Sequence, residues 1–237
     1  MNKIILDVGN TNIKMGIIEN NIISDIKIYP NIEIEKFLFM DIFFNKYIYI
    51  SSNNKKILKK IIKFLKDNNI DYFLFENIFF KNKININEEI DIFELGIDIL
   101  IYLYFFKRNN FKNHLGFSFG TSNFCLIYES ELKGVIIMPG KQLIINSIID
   151  NTDIKNIELK ENMNLPINTS QSISNGLFHI LYGSINSIIE EYKFDKVYLT
   201  GGDINFIKND KINSNQIIII KEIVLKTILD IINDFNL

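Results

Sequence analysis

Apolar residues recur along this chain with two different periods. Near the start, Ile4, Ile5, Leu6 and Val8 form a short apolar run, Gly9, Asn10, Thr11 and Asn12 form a turn cluster, and Ile13, Met15 and Ile17 resume at alternate positions. Period two on both sides of a glycine turn predicts strand, tight turn, strand, with Asp7 one residue before the end of the first strand. A third strand is expected over 22–29, ended by Pro30. A short helix over 33–40 and a strand over 46–50, closed by Ser51, Ser52 and Asn53, come next. Over 55–67 the period becomes helical: Ile57, Leu58, Ile61, Ile62, Phe64 and Leu65 share one side and lysines the other, which reads as a solvated face. Residues 72–75 are a strand, and 76–91 show no clear element. A turn at Glu94, Leu95 and Gly96 leads into an apolar helix over 97–107, and the polar stretch 107–113 is the expected crossover.

The opening pattern then returns. In FSFGTSNFCLIYE, residues 117–129, Gly120 aligns with Gly9, Ser122 with Thr11 and Asn123 with Asn12, while Ser118 stands where the first copy has Asp7. A strand over 132–138 is stopped by Pro139 and Gly140, and a helix is expected over 141–150. A loop over 151–166 precedes a long helix to about residue 192, with Thr169 or Ser170 as its cap. A strand over 197–200 runs into the turn Thr200, Gly201, Gly202, Asp203; a strand over 216–220 and a helix over 221–233 close the chain. The order is three strands, then alternating helix and strand, twice. The expected fold is α/β, with two similar domains, 1–112 and 113–237, each a mixed sheet opening with a three-stranded antiparallel meander and flanked by helices.

Composition removes several function classes. The 237 residues carry a formal net charge of −2 with no basic block, so nucleic acid is not an expected partner. The single Cys125 excludes an intrachain disulfide framework and fits a reducing, cytoplasmic setting; it is read as a core residue. His114 and His179 are far apart and have no cysteine companions, so no zinc site is expected. The chain enters its first strand without a signal-peptide pattern, and the strongest apolar run, 97–106, contains Asp98 and is too short to span a bilayer. No membrane association is expected.

A glycine turn between two strands aims backbone N–H groups and small hydroxyls into one concave spot, which suits a phosphate chain. An acidic residue beside it would hold a cation or water between itself and the phosphate. An ordinary hairpin with an Asx turn is the plainer reading of the first stretch alone. Two such hairpins and a Gly-Gly turn after a strand resemble the sugar kinase, Hsp70 and actin superfamily, whose actin-like (ribonuclease H-like) domains match the expected fold.

The resemblance narrows to the type III pantothenate kinases. Asp7, Gly9, Asn10 and Thr11 match an opening D-x-G-N-T, and Glu94, Leu95, Gly96 and Asp98 match E-L-G-x-D-R with Ile97 at the variable position. Gly120 and Thr121 match D-x-G-T/S, and Gly134, Ile137, Pro139 and Gly140 match G-G-x-I-x-P-G. Asn168, Thr169, Ser172, Ile173 and Gly176 resemble a helix start of the family, and residues 200–203 match T-G-G-D. The motifs stand in the family's order over almost the whole chain.

The resemblance implies ATP-dependent phosphorylation of pantothenate, the first step of coenzyme A synthesis, by a homodimer using a divalent cation such as Mg2+ and a monovalent cation, K+ or NH4+. By the same resemblance Asp98 is the catalytic base. Asp7, Gly9, Asn10, Thr11 and Asn12, with Gly120, Thr121, Ser122, Gly201 and Gly202, handle ATP and its phosphates. Gly96, Ile97, Asp98 and Thr169 bind substrate, Thr169 reaching toward the partner's pantothenate. Asp7 and Ser118 are the metal positions. Asp98, near the positive end of its helix, is expected to stay ionised. Three positions depart from the pattern: Ile99 replaces an arginine, Ser118 an aspartate and Val135 a glycine. A non-catalytic relative, or a kinase for another small alcohol, are the alternatives.

Overall fold

In the computed structural model, residues 2–155, 157–159, 165–192, 194, 196–214 and 216–237 are described, so the expected loop over 151–166 lies partly outside the described residues. The chain divides into two compact units, 1–111 with 130–132 and 222–237, and 112–129 with 133–221.

In the first unit the alternation of β1 (Asn2–Val8) sends Ile4, Leu6 and Val8 into one apolar cluster and Ile5 and Asp7 to the opposite face. β1 pairs antiparallel with β2 (Asn12–Glu19), which pairs antiparallel with β3 (Ile22–Pro30). After α1 (Ile34–Leu38), the chain returns as β4 (Lys46–Ser52), parallel to β1; α2 (Lys55–Asp67) then leads to β5 (Tyr72–Leu74), parallel to β4. The sheet order is β3-β2-β1-β4-β5. α2 forms over the predicted residues. Asn54 caps it by accepting the Ile57 N–H at 3.1 Å, and Ile57, Ile61 and Leu65 are buried from it. Each such burial contributes about 2 kcal/mol. The stretch without a predicted element contains α3 (Asn77–Phe80) and an isolated parallel bridge from Ile86 to Leu132. α4 (Ile97–Arg108) is buried along most of its length, which accounts for its nearly continuous apolar sequence.

The second unit repeats the order. β6 (His114–Ser118) pairs antiparallel with β7 (Ser122–Tyr128), and β8 (Leu132–Pro139) lies beyond β7. α5 (Lys141–Asn151) and α6 (Thr169–Tyr192) precede β9 (Lys196–Thr200), which runs parallel to β6, and β10 (Ile217–Ile219) runs parallel to β9. The order β8-β7-β6-β9-β10 reproduces β3-β2-β1-β4-β5 element for element. α6 contributes Leu181, Ile185, Ile188 and Ile189 to this unit's core. Its cap is Asn168 rather than Thr169 or Ser170: Asn168 Oδ1 accepts the Gln171 N–H at 3.0 Å, and Thr169 is the first helical residue.

The last helix, α7 (Ile223–Phe235), departs from a division at residue 112: it belongs with the first unit, packed on β1 and α4. Tyr104 and Arg108 of α4 both donate to Asp234 of α7, at 2.8 and 2.7 Å, and the apolar face of α7 buries Leu225, Ile228, Ile231 and Ile232. The abundant asparagines also have a local use. Asn20, Asn21, Asn45, Asn69, Asn82, Asn110 and Asn236 all adopt left-handed backbone, a conformation asparagine tolerates better than most residues.

Candidate active site

Strand register builds the first half of the site. Asp7 is the cross-strand partner of Lys14 on β2 and of Ser51 on β4, so three polar residues form a row across the sheet, on the face opposite the cluster of Ile4, Leu6 and Val8. Ser51 donates to Asp7 Oδ1 at 3.1 Å. Lys14 bonds Glu222, at the head of α7, at 2.6 Å, and the Glu222 backbone is left-handed with φ 55°. The charges of Lys14, Asp98 and Glu222 all act on Asp7. Burial is the largest influence and pushes the Asp7 carboxyl up to about 6; Lys14 and the Ser51 bond oppose the rise, and the negative charges of Asp98 and Glu222 add to it.

Beside this row, turn 9–12 is closed by Gly9 N–H donating to Asn12 O at 3.0 Å. Asn31 laces it from outside: its N–H donates to Thr11 O at 2.9 Å and its Nδ2 to Gly9 O at 2.9 Å. The carbonyls of Gly9, Thr11 and Asn12 are thereby occupied from within the unit, and Asn10 and Thr11 are exposed. Such a turn can present N–H groups to an anion.

Asp98 is the second residue of α4, and its Oδ1 accepts the Ile99 N–H at 2.9 Å. Asn53, just past β4, also bonds this carboxylate. The helix end is not the strongest influence on Asp98. Burial dominates and raises its pKa, and the hydrogen bonds from Asn53 and Ile99 offset only part of that rise. Ile99 itself is buried. The structure thus brings together, within one unit, Asp7, turn 9–12, Gly96, Ile97 and Asp98.

In the second unit the corresponding row is uncharged: Ser118 is opposite Phe124 on one side and Thr200 on the other. This register makes the second turn one residue tighter, so Thr121, rather than Ser122, occupies the place of Thr11. Asn123, buried, closes the turn by accepting the Gly120 N–H at 3.1 Å and donating to Pro139 O at 3.3 Å. Gly201 has φ +109°, and a Cβ there would collide with the Phe119 backbone, so the position requires glycine. Gly202 is exposed, and Thr169 is exposed at the start of α6. A cleft of about 80 Å³ lies beside this turn, walled by Phe119, Pro139, Leu177 and Phe206. The Lys141–Asp203 ion pair, 2.9 Å long, lines it.

Asn53, Ser51, Lys14, Glu222, Asn31 and Asn123 were not predicted as site residues. Ser51 and Lys14 follow from the β1 register once it is known; Glu222 had no local sequence signal. Among the described residues no group of three or more His, Cys, Asp or Glu side chains is placed to hold a metal, and no helix is long and apolar enough to cross a membrane.

Two mixed sheets in the same strand order, each opening on a strand–glycine turn–strand, define an actin-like fold of the class that includes ATP-dependent kinases. A family model for type III pantothenate kinase matches residues 3–191, and the chain belongs to that family. A Mycoplasmopsis synoviae (strain 53) protein named type III pantothenate kinase is 28% identical over 218 residues, covering 86% of each chain. Among solved structures, a Campylobacter jejuni protein named for the Baf family of transcriptional activators aligns over 99% of this chain and 100% of its own, with a TM-score of 0.65 and 19% identity. A reductive activator for a corrinoid, iron-sulfur protein aligns over 98% of this chain and 60% of its own, with a TM-score of 0.55 and 9% identity. These two likenesses show the fold. The family is one of ATP-using kinases of coenzyme A biosynthesis.

Proposed function

We propose that the chain transfers the γ-phosphoryl group of ATP to the primary hydroxyl of pantothenate, giving 4′-phosphopantothenate and ADP. The observation that carries this reading is the meeting of Asp7 and Asp98 in one unit beside turn 9–12, although they lie far apart in sequence. Asp98 takes the hydroxyl proton as the oxygen bonds to the γ-phosphorus and the bond from that phosphorus to the bridging oxygen of ADP breaks. A carboxylate whose pKa is raised by burial is a stronger base for that proton than a solvated one. N–H groups of turn 9–12 other than that of Gly9, which Asn12 O engages, hold phosphate oxygens, and Gly120, Thr121, Ser122, Gly201 and Gly202 are the second unit's candidates for the nucleotide.

Asp7, with the Ser51 hydroxyl behind it, fits a divalent cation such as Mg2+: it is a hard oxygen donor, partly buried and facing a second negative charge. A cation bound there would offset phosphate charge. Ser118 offers a single neutral oxygen, which does not by itself fit a K+ or NH4+ site. The proposed assembly is a homodimer, supported by apolar Ile137, Leu143 and Ile180 standing exposed in the second unit, with Thr169 reaching toward the partner's pantothenate. The proposed setting is the cytoplasm, where the buried thiol of Cys125 stays reduced.

A second reading, a non-catalytic relative, draws on the uncharged Ser118 row. One assay separates the two: product formation from ATP and pantothenate with Mg2+, with and without K+ or NH4+, beside Asp98→Asn. Phosphopantothenate from the wild type, reduced about 100-fold or more in Asp98→Asn, supports the kinase; no product in any salt overturns it. Product only from another small alcohol would keep the kinase and change its acceptor.

A further inference from the structure

Asn53 connects three parts of the first unit. Its backbone N–H donates to Val8 O at 3.2 Å, fixing it against the end of β1. Its Oδ1 accepts the Ile97 N–H at 2.9 Å, so α4 is capped from a neighbouring strand, while the local cap position, Gly96, has no side chain to offer. Its amide also bonds the Asp98 carboxylate. Since a carboxylate only accepts, Nδ2 is the donor. Gly96 makes this meeting possible: a Cβ there would lie 2.7 Å from Asp98 Oδ1 and 3.3 Å from Asn53 Oδ1.

The repeated topology sharpens the point. Ser51 sits opposite Asp7 as Thr200 sits opposite Ser118, so Asn53, two residues on, occupies the place of Gly202. A Cβ on Gly202 would meet nothing within 4 Å. The position carries no side chain in the unit whose row is neutral and an amide in the unit that carries the carboxylates.

We propose that Asn53 is a positioning residue for Asp98. Carboxylates at the first turn of a helix are drawn to its free N–H groups. By occupying the Ile97 N–H and donating to the carboxylate, Asn53 holds Asp98 in one orientation, with lone pairs left for a substrate hydroxyl. The assignment of Asp98 as the base rests on the function proposed above; the tie between the two side chains does not.

The test compares full-length Asn53→Asp and Asn53→Ser with the wild type. Aspartate keeps the length and the cap acceptor but loses the donor; serine keeps a cap acceptor and is too short to serve both partners. Each variant is expected to lose about 10- to 100-fold in kcat with KM for ATP changed less than about threefold. Wild-type kcat in both variants overturns the proposal. The carboxyl titration of Asp98, followed by carbon NMR on metal-free protein, is the second readout. It should move to higher pH in Asn53→Ser, because a donor to the charged form has gone. An unmoved titration overturns the positioning role. If the wild type makes no phosphopantothenate, the proposed function fails, and the titration alone decides whether Asn53 holds Asp98.

Discussion

Ser51 and Asp7 face each other across adjacent parallel strands, and the Ser51 hydroxyl donates to Asp7 Oδ1 at 3.1 Å. This bond is among the few influences that favour the charged carboxylate at a place where burial disfavours it. Ser51→Ala should therefore raise the Asp7 pKa further above about 6. The acid limb of the kcat/KM–pH profile should move to higher pH, and Mg2+ should bind more weakly at pH 6 than at pH 8. The lost bond is worth about 1–2 kcal/mol. An unchanged acid limb would show that Asp7 does not control it.

The raised Asp7 pKa has a consequence for stability whose sign is opposite to that of an ordinary paired carboxylate. Between the usual value of 3.8 and about 6, the folded state binds the proton more tightly than the unfolded chain. Stability from this group is therefore lost as pH rises through that window and stays lost above it. Replacing Asp7 with asparagine removes the penalty. In metal-free protein the unfolding free energy of Asp7→Asn, relative to wild type, should grow by about 2 kcal/mol between pH 4 and pH 7. Saturating Mg2+ should narrow the gap, by stabilising only the chain that keeps the carboxylate. A gap that does not change with pH in urea titrations would contradict the burial of this carboxyl.

Gly201 is required by its backbone. At φ +109° a side chain is strained, and here it would also meet the Phe119 backbone, whose N–H and carbonyl are already engaged with Thr200 and Asp203. Gly201→Ala should cost about 3 kcal/mol. Gly202→Ala, with open space around it, should cost less than about 1 kcal/mol. Thermal unfolding of the pair, measured side by side, checks the contrast.

The hairpins, α2, α4 and the doubled strand order were legible because period two, period 3.6 and the glycine turns are local signals. Asp7 and Asp98 stood out as candidates through motifs. Their surroundings did not. Lys14 reads as one more lysine in a lysine-rich chain until the β1–β2 register sets it beside Asp7, and nothing local links it to Glu222, which lies 208 residues away. Asn53 reads as a turn residue because its partners, Ile97 and Asp98, belong to another element. The balance of influences on the Asp98 carboxyl was not legible either, for a quantitative reason. A helix end favours a carboxylate by about 1 kcal/mol or less at a surface, whereas burial can outweigh that severalfold. The short element at 77–80 escaped notice because one helical turn carries too few residues to show a period.

The first unit takes its sheet from the beginning of the chain and α7 from residues 223–235. A ribosome therefore delivers every residue of the second unit before the helix that covers β1 and positions Glu222 against Lys14. The carboxylate-bearing unit is the one that must wait, with the α7-facing side of its sheet uncovered, until residues 223–235 have been made. Chains halted shortly before residue 222 would possess both glycine turns and all ten strands found among the described residues, yet lack the helix that closes the unit carrying Asp7 and Asp98.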